Sequence, residues 1–277
     1  MPNSGDRSEQ IMGILEGKRL VITGVLTDAS LAFGVAQRAL DEGADIVLTG
    51  AGRGLSLTQR TARKLRRPNG VAGEPNGIDV LELDVTVDAH LTALVETLTG
   101  KWGGVDGALH AIGFAPANCL GEDLSLATWD EVAMAIQIST FSLKVLALGL
   151  LPLFNVAGGG SVVGLDFDAT VAWPAYNWMG VAKAGLESLN RYLARDLGPH
   201  KVRCNLIAAG PVRTMAAKSI PGFSKFEDVW GDKAPLGWDV NDSDAVARAA
   251  VVLMSDWFPM TTGSIIHVDG GFHAIGA

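Results

Sequence analysis

Cysteine is scarce in this chain. Only Cys119 and Cys204 occur, far apart and outside any CxxC or Cys/His spacing. Neither a disulfide framework nor a zinc site is indicated, no metal is expected, and a reducing cytoplasm fits best. Positive charge is also in short supply: 22 Lys and Arg stand against 30 Asp and Glu, for a net charge of −8. That balance removes the electrostatic basis for a nucleic-acid partner. The one basic cluster, Arg60, Arg63, Lys64, Arg66 and Arg67, reads as a solvated outer helix face. No uninterrupted apolar run reaches the roughly 18 residues that span a bilayer, and Met1 to Gln10 is polar. A soluble, cytoplasmic protein without a membrane partner is therefore expected. Pro/Ser-rich linkers and charge blocks are missing as well, so the chain reads as one unit. Residues 1–12 are expected to form a disordered extension, and residues 13–277 a single domain.

What is present is alternation. Short apolar or β-branched runs, Arg19 to Gly24, Asp45 to Thr49, Val80 to Leu83, Gly107 to Ala111, Gly160 to Leu165, Val202 to Ala208 and Ser264 to Val268, read as seven strands. Between them, Ser30 to Glu42, Asp88 to Gly100, Thr128 to Leu148, Ala175 to Asp196 and Ser243 to Ser255 carry apolar residues at three- and four-residue spacing. Repeated strand and helix alternation predicts an α/β fold, a Rossmann-type doubly wound seven-stranded parallel sheet. In such a sheet ligands sit beyond the carboxyl ends of the strands, so strand-end residues carry functional weight.

The first strand runs into Thr23-Gly24 and then Ser30-Leu31, a turn opening a helix whose free N–H groups suit a pyrophosphate. Gly24 permits close backbone approach. The turn lacks the usual GxGxxG pattern, with Ser30 and Ala32 at positions often held by glycine. Asp84-Val85 ends the third strand, where a short carboxylate accepts from an adenine amino group or else caps the next helix. Ile112 and Gly113 follow the fourth strand in a small-residue turn. After the second strand, Ala51-Gly52-Arg53 offers no acidic residue for a ribose 2′-hydroxyl, so these residues leave NAD and NADP equally open.

Tyrosine is rarer than any of this, with two in the chain. One of them, Tyr176, begins a helix and Lys183 follows seven positions later, about two turns on the same face. One side chain can then sit at a substrate while the other reaches a cofactor ribose.

Together with Gly24 to Phe33, Leu81 to Val85, His110 to Phe114, Gly164-Leu165-Asp166-Phe167-Asp168, Pro174 to Met179 and Ala208 to Thr214, this pair makes the chain resemble the enoyl-acyl-carrier-protein reductases. It is most similar to their InhA-like actinobacterial branch within the short-chain dehydrogenase/reductases, from about Gly13 onward. The resemblance implies reduction of the trans-2 double bond of enoyl thioesters, on acyl-carrier protein or CoA, by NADH in fatty-acid elongation. It implies Tyr176 as the hydrogen-bond donor to the thioester carbonyl, Lys183 as the group holding the nicotinamide ribose, and Phe167 as the aromatic at the reacting end. The Lys183 charge is expected to favour the ionised or strongly donating form of Tyr176. Met179 flanks the acyl chain. Gly24, Ser30, Leu31, Asp84, Val85, Ile112, Gly113, Lys183, Val212 and Thr214 are implied to hold the cofactor, and a homotetramer is implied as the assembly. Ala51 and Gly52, and Ala111 where serine is common, depart from the pattern and weaken expectations about the adenosine end.

Residues 214–237 carry an apolar stripe of Met215, Ile220, Phe223, Phe226 and Trp230, broken by Pro221-Gly222. The stripe suits either a mobile substrate cover or a packed helical hairpin. This segment is shorter than the lid of mycolic-acid-type members, which predicts a preference for medium acyl chains. Lys218 and Lys225 are placed to meet an acidic carrier or solvent. Two other readings compete: a non-catalytic dinucleotide-binding regulator, and a short-chain ketoreductase. The second needs a Tyr-x3-Lys pair with a serine about a dozen residues earlier, and neither tyrosine supplies it.

Overall fold

Residues 12–68 and 77–276 are described by a computed structural model of the protein. The expected N-terminal extension, apart from an exposed Met12, lies outside them. Each of the seven apolar runs forms a strand: β1 (Arg19–Thr23), β2 (Asp45–Gly50), β3 (Asp79–Glu82), β4 (Gly107–His110), β5 (Gly160–Asp166), β6 (Val202–Ala209) and β7 (Ile265–Val268). All pairings are parallel, in the order β3-β2-β1-β4-β5-β6-β7. Parallel neighbours require crossovers, and the helices in those crossovers cover both faces of the sheet.

Two-sided burial explains why the strands read as continuous apolar runs. Along β1, Leu20 and Ile22 enter one core with α1 (Leu31–Asp41) and α9 (Asp244–Met254), while Val21 points to the other. That second core holds side chains of α3 (Asp88–Trp102), α5 (Ser142–Gly149) and α7 (Asn177–Leu197). β2 repeats the pattern, with Ile46 and Leu48 on the first side and Val47 on the second. Each such side chain contributes about 1.5–3 kcal/mol on full burial.

The helices depart from the sequence reading in three places. The stretch expected as one helix over Thr128 to Leu148 starts as anticipated, with a capping box in which Glu131 Oε2 accepts from the Thr128 N–H at 2.9 Å. It then divides into α4 (Trp129–Ile136), a π-helical segment (Gln137–Phe141) and α5. Two serine hydroxyls accompany the widening: Ser142 Oγ donates to the Ile138 carbonyl at 2.6 Å, and Ser139 Oγ turns outward to the backbone of Phe114. Widened turns of this kind occur often at functional sites. The helix expected from Ala175 begins instead at Asn177, because Ala175 and Asn177 hold positive φ angles of 58° and 45° around Tyr176. Finally, α6 (Leu151–Ala157) and most of α2 (Gly52–Ala62) fill stretches given no helix in the sequence reading, and α8 (Ser224–Lys233) lies in the segment read as either a cover or a helical hairpin. Of the basic cluster, Arg60 lies on α2, Lys64 pairs with Asp28 at 2.6 Å and Arg67 with Asp45 at 3.1 Å.

The stretch Trp129–Gly149 has a mean hydropathy of 1.6 in an 18-residue window, enough by length and composition to cross a membrane, but 44% of that window is buried inside the fold.

Strand order reverses between β1 and β4, the place where doubly wound sheets leave a crevice. One side chain closes the joint. Thr23 Oγ1 donates to the Leu109 carbonyl at 2.9 Å and accepts from the Ala111 N–H at 2.8 Å. Just beyond it Gly24 has a φ of 81°, and a Cβ there would lie 2.1 Å from the Ala111 carbonyl oxygen. Gly24→Ala is expected to cost about 3 kcal/mol, read as a lower urea midpoint with an unchanged m-value.

Candidate active site

At the carboxyl ends of β1, β4, β5 and β6 lies a cavity of about 480 Å³. Nearly all the residues singled out in the sequence line it. Gly24, Ser30 and Leu31 come from the turn after β1, Ile112 and Gly113 from the turn after β4, and Val212 and Thr214 from the segment after β6. Phe167, Tyr176, Met179 and Lys183 form the opposite wall. Asp84 and Val85 are not part of it. The Asp84 carboxylate accepts from the backbone N–H and the hydroxyl of Thr86, at 2.9 and 2.6 Å, and Val85 packs against the second core. A separate cavity of about 670 Å³ beside β7 gathers His267, Asp269 and His273 but includes neither Tyr176 nor Lys183.

The cofactor side is shaped by backbone. Ser30 caps α1 without bonding a helical N–H; its hydroxyl accepts from Thr27 N at 3.0 Å instead. No acidic residue occupies the first turn of α1, so its free N–H groups and the helix dipole favour an anion. Gly24, which leads into this cradle, lines the same cavity. These features fit a dinucleotide pyrophosphate. The turn after β4 is held from the π-helical segment, where Ser139 Oγ accepts from Phe114 N and donates to Phe114 O, both at 2.9 Å.

The reacting side is aromatic and dry. The Phe167 ring meets Tyr176 edge-on at 5.2 Å, and it also contacts Trp173, Phe226 and Trp230 at 5.2 to 5.9 Å. Trp230 in turn stacks on Phe272 at 3.9 Å. Residues 214–237, expected to form a lid, carry a short 3-10 turn (Ala217–Ser219) and the helix α8. Phe226 and Trp230 are buried, while Met215, Ile220, Phe223 and Phe226 reach the cavity. Arg213 and Glu227 pair through two contacts of 2.5 and 2.6 Å, and Trp238 donates to the Pro211 carbonyl at 2.7 Å, which fastens α8 to the loop after β6. Lys218 is exposed; the Lys225 side chain lies outside the described residues.

Burial sets the charges. Tyr176 is 8% exposed, and desolvation together with the negative Asp166 pushes its pKa above the ordinary phenol value. That direction keeps the O–H on the ring at neutral pH, and its causes are burial and Asp166. Burial pulls Lys183 down while Asp166 opposes it. Asp166 itself is pushed up to about 7, mainly by burial, against the pull of Lys183. His110, at 0% exposure, is held down to about 3 by desolvation and the Lys183 charge. Since the Ser142 proton goes to Ile138, His110 Nε2 donates to Ser142 Oγ at 2.7 Å, and Nδ1 has no hydrogen-bond partner among the described residues.

Sequence reasoning quoted Asp166 inside a motif and gave it no role; the signal was a carboxylate ending an otherwise apolar strand. The wall built from Trp173 and Phe272 left no local signal, since those residues meet Phe167 only through the tertiary fold.

A reversed doubly wound sheet, a glycine-led cradle after β1 and a tyrosine and lysine two turns apart after β5 define a Rossmann-type oxidoreductase of the short-chain dehydrogenase/reductase class. Comparison with known proteins narrows this. A family profile described as enoyl-(acyl carrier protein) reductase matches residues 24–273, and the chain belongs to that family. It is 43% identical to the enoyl-[acyl-carrier-protein] reductase [NADH] of Mycolicibacterium smegmatis, over 94% of this chain and 97% of the relative. The FabI enoyl-[acyl-carrier-protein] reductase [NADH] of Aquifex aeolicus is 37% identical over 96% and 94%, and that of Escherichia coli 36% over 94% and 96%.

The buried imidazole carries a pH consequence. The unfolded ring gains its proton below pH 6.5 and the folded one only near 3, so His110 stabilises the fold above 6.5 and that contribution is lost on acidification. Between pH 7 and 4 the loss is on the order of 3 kcal/mol. Guanidinium unfolding at both pH values is expected to show a smaller difference for His110→Gln.

Proposed function

We propose that the chain reduces the trans-2 double bond of enoyl thioesters, carried on acyl-carrier protein or CoA, with NADH as donor in fatty-acid elongation. The observation that carries this reading is the convergence of Tyr176, Phe167 and Lys183 on one cavity with the cradle after β1, in a chain whose relatives bear that activity in their names.

NADH supplies the hydride. Gly24, Ser30 and Leu31 hold its pyrophosphate end, Ile112 and Gly113 lie along it, and Val212 and Thr214 meet the carboxamide edge. Asp84 and Val85, which lie outside the cavity, would meet the adenine end. Lys183 directs its remaining donors at the ribose hydroxyls. Hydride delivered to the β-carbon would drive charge onto the thioester oxygen, and a proton taken up from solvent at the α-carbon would complete the reduction. The Tyr176 O–H, aimed in a water-poor site, stabilises that enolate-like oxygen more than the neutral carbonyl, which lowers the barrier. Phe167 packs on the reacting end and Met179 beside the acyl chain. In Tyr176→Phe, kcat is expected to fall about 10²-fold with an unchanged circular dichroism spectrum, followed as NADH oxidation with octenoyl-CoA. Near-parental turnover in that folded variant would sink the reading.

The acyl chain runs toward Ile220, Phe223 and Phe226, backed by the aromatic cluster, and this wall supports a preference for medium chains. Each methylene that finds apolar contact adds about 0.8 kcal/mol, so kcat/KM climbs with chain length until the wall is met. A plateau is expected well short of about sixteen carbons. Removing the Phe226 ring, in Phe226→Ala, is expected to move it to longer chains, each newly admitted methylene raising kcat/KM up to about fourfold.

Exposed Trp129, Phe141, Tyr192 and Trp257 are apolar surface of the sort that subunit contacts cover. They support assembly into a homotetramer, in the cytoplasm where acyl-carrier thioesters are made.

A further inference from the structure

Asp166, the last residue of β5, is a buried carboxyl group that no other side chain hydrogen-bonds among the described residues. Its side chain is 0% exposed, and neither carboxylate oxygen has a hydrogen-bond partner among the described residues. A carboxylate so placed is costly unless another charge answers it. The cation beside it is Lys183, whose Nζ lies 3.8 Å from Asp166 Oδ1. The same nitrogen donates to the Leu165 carbonyl at 2.8 Å and lines the cavity.

The neighbours do not replace this partner. From α7, Glu187 is buried and its Oε1 accepts from the Ala169 N–H at 3.1 Å. Asp168, past the strand end, accepts from the backbone and hydroxyl of Thr170. Both add negative charge around Asp166, while the charge that opposes the burial of the Lys183 ammonium is that of Asp166. From β4, His110 is neutral, and Tyr176 keeps its proton. The Leu165 carbonyl, which accepts more strongly from an ammonium than from an amine, fixes where the nitrogen sits and adds to the hold on its charge, but it brings a partial charge where the carboxylate brings a full one.

We propose that Asp166 is a positioning residue which acts through Lys183, holding it at the cavity wall as a charged ammonium that presents its donors to the nicotinamide ribose. The inference rests on the reductase reading above for the identity of what Lys183 grips, but its first measurement needs neither substrate nor turnover. Without Asp166 the buried amine sheds its proton at a lower pH, and the grip on the ribose weakens with it.

The test uses the full chain with carbon-13 and nitrogen-15 labelled lysine, free of cofactor. The Lys183 resonance is identified by its loss in Lys183→Gln. In Asp166→Asn the midpoint of the Lys183 titration is expected to fall by about one to three pH units. The pH at which NADH affinity drops, followed by fluorescence, and the alkaline limb of the kcat/KM profile are expected to shift downward in parallel. Asp166→Ser carries the same expectation if the asparagine variant does not fold. An unmoved Lys183 titration in a folded variant overturns the proposal, and so does lost activity with the alkaline limb in place, which marks a merely structural role. A shifted titration in a protein that reduces no enoyl thioester supports the Asp166–Lys183 coupling and refutes the reductase reading.

Discussion

The two strand ends at the reversal of the sheet have to approach more closely than side chains allow, and the rest of the site follows from that constraint. Thr23 spans the gap with one hydroxyl that both donates and accepts, so the Leu109 carbonyl and the Ala111 N–H at the end of β4 are both met. Gly24 then turns with no Cβ to strike Ala111. Because β1 and β4 end together, the first turn of α1 and the small-residue turn after β4 face one another across a single crevice. Ser139, on the widened turn between α4 and α5, clamps the far side by holding both backbone groups of Phe114.

The opposite wall solves a different problem. Stabilising a developing oxyanion calls for few water molecules, and excluding water buries Tyr176, Lys183, His110 and Asp166 together. In such surroundings the cost of each charge depends on its neighbours. Tyrosine stays protonated, histidine stays neutral, and lysine and aspartate lean on each other. The aromatic cluster of Phe167, Trp173, Phe226, Trp230 and Phe272 supplies the dryness, and it joins the reacting end to both α8 and the last turn of the chain.

Much of this was legible from residues alone, for identifiable reasons. Strands buried on both faces, as β1 and β2 are over most of their length, must be apolar, so they stood out, and Tyr176 and Lys183 declared themselves by two-turn spacing and by the rarity of tyrosine. The family resemblance supplied the chemistry that spacing could not. What escaped was either non-local or locally ambiguous. The helix Gly52–Ala62 begins with two glycines in its first three positions and resembles a loop. The widening at Gln137 to Phe141 depends on where two serine hydroxyls find partners, one of them 25 residues away in sequence. Asp84 illustrates the reverse case, a residue marked by its motif whose carboxylate is engaged with Thr86 beside it.

The left-handed backbone at Ala175 and Asn177, on either side of Tyr176, carries its own implication. Non-glycine residues held in that region cost about 1–3 kcal/mol each, and only the surrounding packing keeps them there. The phenol is therefore cocked before any substrate arrives. A relaxed hinge would let the ring wander, and every encounter would begin with a search for the right rotamer. Here that search is finished during folding, and part of the protein's stability is converted into aim.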